Sequence, residues 1–107
     1  MANIGTASVY SGLTATGSTQ ATAYAVKAES NYFSTVDSGT GAILDVATSQ
    51  GESQTIYNGG ANDLSVYPPS THQINALGTN AAMLLSPRTA CEFRRLTATV
   101  WTGILSR

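Results

Sequence analysis

Ionised side chains are scarce in this sequence of 107 residues. Only 10% of the residues are Asp, Glu, Lys or Arg, the formal net charge is -1, and Lys27 is the single lysine. Proteins that bind nucleic acids neutralise phosphates with clustered Lys and Arg, so this composition predicts no nucleic-acid partner. A weakly charged surface is also less hydrated and therefore easier to bury against another protein. The composition favours assembly.

Cysteine and long apolar runs are equally rare. Cys91 is the only cysteine, which excludes a disulfide within the chain, and we expect it to be a small buried side chain on a strand. No run approaches the roughly 20 apolar residues that cross a bilayer. The N-terminal sequence lacks the positive start and the continuous apolar stretch of a signal peptide. We therefore expect a soluble protein that is made in a cytosol and has no membrane partner.

Helical periodicity is nearly absent, whereas strand patterns recur. The best helical window, 75–85, contains Gly78 and has no charged pairs four residues apart. Alternation and enrichment in β-branched and aromatic residues predict strands at 21–26 and 31–37, which a short polar link could join as a hairpin. The same signals predict further strands at 42–44, 54–58, 64–67, 81–86, 91–96 and 97–106.

Turn residues separate these strands. The run NGGAND at 58–63 contains residues that tolerate a positive φ, so it predicts a tight connection. Pro68 and Pro69 cannot donate to a strand ladder and are expected to end the strand before them. The segment that follows predicts an irregular loop in which Ile74 and Leu77 are buried.

About eight or nine short strands at this spacing predict an all-β protein. We expect residues 20–107 to form a single-domain β-sandwich of the jelly-roll type. Residues 1–19 differ in composition from the rest of the chain, because isolated apolar residues lie in a segment rich in Gly, Ser and Thr. This segment is expected to be an extended N-terminal arm that either frays or orders on a neighbouring subunit.

Catalytic and metal-binding patterns are missing. His72 is the only histidine, the six carboxylates are scattered singly, and no zinc, calcium or phosphate-binding motif appears. We therefore predict no enzyme, no cofactor and no metal. Three weaker alternatives remain open: His72 with a carboxylate cutting a polysaccharide, a Ca²⁺ ion in the turn at 58–63, and aromatic residues that stack on a sugar, namely Tyr57, Tyr67 and Trp101.

Several strings from Gln20 onward resemble a β-rich module of tailed-bacteriophage virion proteins. The matching segments are GTGAIL at 39–44, YNGGANDLSVYP at 57–68, QINAL at 73–77, NAAMLL at 80–85, and a last strand with Trp101. The chain departs from the module in CEFRRLTATVW at 91–101 and LDVATSQGES at 44–53. The match covers about four-fifths of the chain and carries turn and core positions, so it transfers no catalytic residue.

The resemblance implies a small trimeric β-sandwich that decorates capsids or forms parts of head fibres and tail appendages. We expect a capsid cement or decoration subunit on the virion surface, made in the cytoplasm of the host bacterium. Its partners would be its own copies in a homotrimer and the major capsid protein. The alternative is a head-fibre or tail adaptor domain whose loop at 68–79 binds another tail protein or a host glycan. The residues expected at these interfaces are Tyr10, Leu13, Tyr32, Phe33, Tyr67 and Trp101, with Arg94 and Arg95 at the polar edge.

Overall fold

The all-β prediction is confirmed by a computed structural model that describes residues 8–105. These residues contain ten short strands and no helix. The strands are β1 (Val9–Thr14), β2 (Tyr24–Ala25), β3 (Ser30–Thr35), β4 (Gly41–Ile43), β5 (Ser53–Asn58), β6 (Leu64–Tyr67), β7 (Gln73–Ile74), β8 (Met83–Leu85), β9 (Thr89–Arg95) and β10 (Val100–Leu105). Among these residues, no helix has the length and hydropathy of a membrane span.

The strands form two sheets, and the chain alternates between them from β1 to β9. One sheet has six strands in the order β1-β3-β5-β9-β10-β7, and the other has four in the order β2-β4-β6-β8. The pairs β1-β3, β3-β5, β2-β4 and β4-β6 are all parallel. Each circuit through both sheets therefore stacks on the previous circuit, as in a β-solenoid.

This topology differs from the strand pairing expected for a jelly roll, which is antiparallel. Among the named strands of residues 8–105, the antiparallel pairs are β8 with β6 and β9 with both β5 and β10, and one isolated antiparallel bridge joins Thr16 to Gly41. The hairpin expected between 21–26 and 31–37 is wrong, because β2 and β3 belong to different sheets. A short polar link turns the chain from one sheet to the other just as readily as it reverses a strand.

The core lies between the two sheets. Ile56, Phe93 and Trp101 project inward from the six-stranded sheet, and Leu64 and Val66 face them from the other sheet. Inward and outward residues alternate along β5 and β6, as expected for strands with one buried face. Cys91 is fully buried on β9, which confirms its expected place.

Buried amides brace the passages between the sheets. Asn58 is fully buried; its Nδ2 donates to the carbonyls of Asn62 and Leu85 at 2.8 Å each, and its Oδ1 accepts from Gly60 N at 2.9 Å. Gln54 holds an earlier passage, since its Nε2 donates to the Ala28 carbonyl at 3.0 Å. Each amide thereby satisfies backbone groups that would otherwise be buried without partners.

The turn at 58–63 is tight for a different reason than expected. None of its residues has a positive φ. Instead, a Cβ on Gly60 would lie 2.7 Å from Val36 Cβ, and one on Gly59 would lie 2.9 Å from the Phe33 carbonyl oxygen. The two glycines are therefore required by close backbone approach.

The segment after the prolines follows the expectation in part. β6 ends at Tyr67, directly before Pro68, and Ile74 is fully buried. Leu77, however, is 49% exposed, so its predicted burial is wrong. Of the predicted N-terminal arm, residues 9–14 form β1, which pairs with β3, and residues 1–7 lie outside the described part of the chain.

Candidate functional site

Two of the residues expected at an interface are core residues instead. Phe33 is 1% exposed and Trp101 is fully buried. The Trp101 indole N–H donates to His72 Nδ1 at 3.1 Å, and the Phe33 ring packs edge-on against Tyr24. Since each side chain is enclosed by its own chain, neither offers a surface to a partner. The prediction is corrected for both.

Leu13 and Tyr67 lie at the border of the core. Leu13 is partly buried and packs against the core cluster. The Tyr67 hydroxyl donates to the Ser18 carbonyl at 3.3 Å, and its ring lies over Gly41. Both residues tie neighbouring circuits of the chain together, so most of their contacts are internal.

The adjacent arginines have unlike surroundings. Arg95 donates to four backbone carbonyls: Val46 at 2.9 Å, Thr48 at 2.7 Å, Ala98 at 2.6 Å and Thr97 at 3.3 Å. These bonds use four of the five guanidinium donors, so Arg95 joins the β4–β5 loop to the β9–β10 turn and has little capacity left for a partner. Arg94 makes a single ion pair, with Glu92 at 3.2 Å, and its side chain is 41% exposed. Of the two, only Arg94 fits the predicted polar edge.

His72 has a structural environment. It is 6% exposed, and its Nδ1 accepts the hydrogen bond from Trp101. Burial, followed by the positive charge of Arg95, lowers the pKa of His72 below its ordinary value of 6.5. A neutral imidazole is what this hydrogen bond requires, because protonated Nδ1 cannot accept. Burial also raises the pKa of the Cys91 thiol to about 12, so that thiol is far from a reactive thiolate.

No metal site is formed by the described residues, among which no three His, Cys, Asp or Glu side chains meet. The Asn58 side chain, expected in a possible Ca²⁺ turn, is committed to the three hydrogen bonds described above. Glu29, Asp45 and Glu52 border a cavity of about 120 Å³ together with Lys27, which pairs with Asp45 at 3.7 Å. This arrangement is a partly exposed ion pair rather than a ligand set.

One exposed surface is the outer edge of β1, which we call the β1 edge. Among residues 8–105, β1 has a strand partner on one side only, namely β3. Val9 is 56% and Tyr10 49% exposed on this strand, which contains no charged residue. A register shift at Gly12, whose φ is 69°, interrupts the ladder. Such a bulge partly protects an edge, but the charges that usually repel other strands are missing.

The second exposed surface lies on the outer face of the six-stranded sheet and is called here the tyrosine groove. Tyr32 on β3 and Tyr57 on β5 are register partners, with ring centroids 5.9 Å apart and planes inclined at 70°. They are shared by two adjoining depressions of about 320 and 340 Å³. Besides the two tyrosines, the depressions are lined by Phe33, Ser34, Thr55, Gly59, Arg88 and Ala90.

The polar side-chain groups of the groove have no partners among the described residues. Across residues 8–105, the hydroxyls of Tyr32, Ser34 and Tyr57 and the guanidinium of Arg88 have no hydrogen-bonding or ionic partner. No carboxylate borders either depression in this part of the chain. The groove therefore combines aromatic faces, neutral hydroxyls and one cation.

Sequence reasoning identified Tyr32 but missed the rest of this groove. Tyr57 was expected to be a strand residue that could stack on a sugar, and Arg88 was not expected at any site. Tyr57 and Arg88 come together through the pairing of β9 with β5, which places Asn58, the neighbour of Tyr57, beside Thr89, the neighbour of Arg88. That pairing joins segments far apart in the chain and is not encoded in any local pattern.

Comparison with known protein families, with curated proteins and with solved structures finds no match to this chain. The resemblance to a phage virion module therefore stays an expectation, and the proposed function combines it with the exposed surfaces of residues 8–105.

Proposed function

We propose that this protein is a structural virion protein, a cement or decoration subunit that binds the mature shell of a bacteriophage as a homotrimer and stabilises it. The observation that supports this proposal most is the exposure of large apolar side chains on a weakly charged surface. Val9 and Ile104, each 56% exposed, lie at opposite ends of the same register row across the six-stranded sheet. Surfaces of this kind are typical of proteins that are covered by a partner.

The β1 edge is the surface assigned to self-association. Among residues 8–105 the outer backbone groups of β1 face no other strand, and a second copy can cover them together with the exposed Val9 and Tyr10. The strand carries no charge that would oppose such contact. When a different surface of the second copy covers this edge, the contact is head-to-tail, and its repetition around a three-fold axis closes a trimer. A trimer meets several shell subunits at once, so weak individual contacts add through effective concentration.

Stabilisation of the shell then follows from mass action. A ligand that binds only the mature shell stabilises it by about 2.7 kcal/mol per site when its free concentration is a hundred times Kd. Because the site repeats over the whole particle, even this modest term opposes internal pressure on every subunit.

Two measurements test this proposal. Sedimentation equilibrium of the purified protein is expected to give a mass three times that of the chain, and Tyr10→Lys is expected to return it to a monomer without unfolding it, with Leu84→Lys as a matched exposed control. Quantitative gel densitometry of purified virions is expected to show hundreds of copies. A monomeric wild type, or a chain that is missing from virions, would refute the proposal.

The tyrosine groove favours a second candidate function, a head-fibre or tail adaptor domain that binds a glycan or another tail protein. Copy number separates the two candidates, because a tail or fibre position requires only a few copies per particle. The groove also differs from the loop at 68–79 that the sequence pointed to, so substitutions in each region distinguish the two binding surfaces.

A further inference from the structure

The tyrosine groove has the size of a small ligand site. Its two depressions, of about 320 and 340 Å³, lie at the lower end of the range of ligand pockets, which is roughly 300–1,000 Å³. Tyr32 is 46% exposed, so its ring is accessible from solvent. Tyr32 and Tyr57 line both depressions, so each depression has an aromatic wall.

Arg88 is held in an unfavourable backbone conformation at one end of the groove. Its φ is 66°, a left-handed value that Gly or Asn adopts at lower cost than a long side chain. The turn itself requires only the Arg88 backbone N–H, which donates to the Asn58 carbonyl at 2.6 Å. Within residues 8–105 the guanidinium makes no hydrogen bond or ion pair, so the contacts of this part of the chain do not account for a long cationic side chain at a strained position.

We propose that the tyrosine groove binds an acidic saccharide, meaning a chain of sugar rings that carries a carboxylate. The apolar C–H face of a sugar ring packs against an aromatic ring, and two adjoining aromatic walls accept two successive rings. The hydroxyls of Tyr32, Ser34 and Tyr57 can exchange hydrogen bonds with sugar hydroxyls. The planar guanidinium of Arg88 can bind the carboxylate through two parallel hydrogen bonds.

The same residues argue against an apolar occupant. A hydrophobic protein surface placed over the groove would remove water from three hydroxyls and a guanidinium without giving them partners, and each unsatisfied polar group opposes binding. A saccharide supplies both the apolar faces and the many hydroxyls that the groove requires. The inference depends only on the groove and holds whether the protein is part of a shell or of a tail.

The test is a titration of the isotopically labelled protein, followed by ¹H–¹⁵N NMR. The probe is α-1,4-linked trigalacturonic acid, and the matched control is the neutral α-1,4-linked galactotriose. We expect the acidic probe to shift the amide signals of Ser34, Gly59 and Arg88 with a Kd in the range of about 1 mM or tighter. The neutral sugar is expected to bind at the same signals at least about fivefold more weakly, because it lacks the carboxylate.

Two variants distinguish a ligand-binding role of the groove residues from a purely structural role. Arg88→Gly is expected to weaken the acidic probe about tenfold and to make the two sugars equivalent, while the urea midpoint stays the same or rises because Gly tolerates the positive φ. Tyr32→Ser is expected to weaken both sugars alike. This combination of unchanged or higher stability with lost binding is not what a purely structural arginine would produce.

Four results would overturn the inference. The first is that no groove signal shifts at about 10 mM of either sugar. The second is that acidic and neutral sugars bind wild type equally. The third is that an Asp-Asp-Asp peptide binds as tightly as trigalacturonate, which would assign the groove to an acidic protein segment. The fourth is that dilution of the protein alone shifts the groove signals, which would assign the groove to a second copy of this chain.

Discussion

Replacement of Arg95 by Lys tests whether this arginine is a structural clamp or an interface residue. Arg95 donates to carbonyls on both sides of it, at Val46 and Thr48 in the β4–β5 loop and at Thr97 and Ala98 in the β9–β10 turn. Lysine keeps the charge but presents a single ammonium group, which cannot reach both sets of carbonyls. The substitution therefore removes the link while leaving the net charge unchanged.

The size of the effect follows from the bonds lost. A hydrogen bond from a charged donor contributes about 1.5–3 kcal/mol in a favourable setting, and less where water can replace it. Lysine can retain one or two of the four bonds, and several of the carbonyls lie at the surface. We expect a net loss of about 2 kcal/mol in the free energy of unfolding, which lowers Tm by about 10 °C for a domain of this size.

The assay is urea unfolding of both single variants at one fixed protein concentration, with Arg94→Lys as the matched control. Among residues 8–105, the Arg94 side chain makes only its partly exposed pair with Glu92, so we expect its replacement to change stability by less than about 0.5 kcal/mol. If Arg95→Lys and Arg94→Lys proved equal within that margin, the assignment of Arg95 as the clamp would be wrong. If Arg95→Lys lost shell binding while its stability stayed unchanged, Arg95 would be an interface residue, as the sequence predicted.

Three further predictions concern buried polar groups. Asn58→Asp is expected to lower the free energy of unfolding by about 3 kcal/mol or more at pH 7, measured by thermal unfolding. The reason is that a carboxylate cannot donate to the Asn62 and Leu85 carbonyls and would be buried without a counter-charge. A loss below about 1 kcal/mol would contradict the role of Asn58 as a brace between the sheets. The folded-state pKa of His72 lies below its unfolded value of 6.5, so its contribution to stability is complete above pH 6.5 and decreases as the pH falls toward the folded pKa. The urea midpoint of the wild type should therefore fall between pH 7 and 5 more steeply than that of His72→Gln, whose amide oxygen can still accept from Trp101, and parallel curves would exclude His72 as the titrating group. Cys91, with its pKa raised to about 12, should react with a thiol reagent at pH 8 only as fast as the protein unfolds, and fast labelling of the native protein would show that the site is open.

The local pattern of the sequence was enough to place most elements. Alternation and turn chemistry located β5, β6 and β8 to within a few residues, and the prolines marked the end of β6. These features were accessible because side-chain periodicity, proline geometry and glycine punctuation act over a few residues. The burial of Cys91 followed from the same local reasoning.

The partners of these strands were decided only by the tertiary structure. Strands of two to seven residues carry too few positions to specify whether they pair in parallel or antiparallel, so the stacked circuits of β1-β3-β5 were not recognised. Adjacent residues of a strand point to opposite faces, so Tyr32 and Phe33 could not both lie outside, and the local pattern did not show that Phe33 and Trp101 are the buried ones.

By itself, the sequence determined that this chain is an all-β protein with few charges and many tight turns, since composition and periodicity are properties of neighbouring residues. Only the tertiary structure brought Arg88 beside Tyr32 and Tyr57 and joined Arg95 to the distant β4–β5 loop. Contacts of this kind arise when several strands settle into one register, and that choice depends on the packing of the whole core rather than on any single segment.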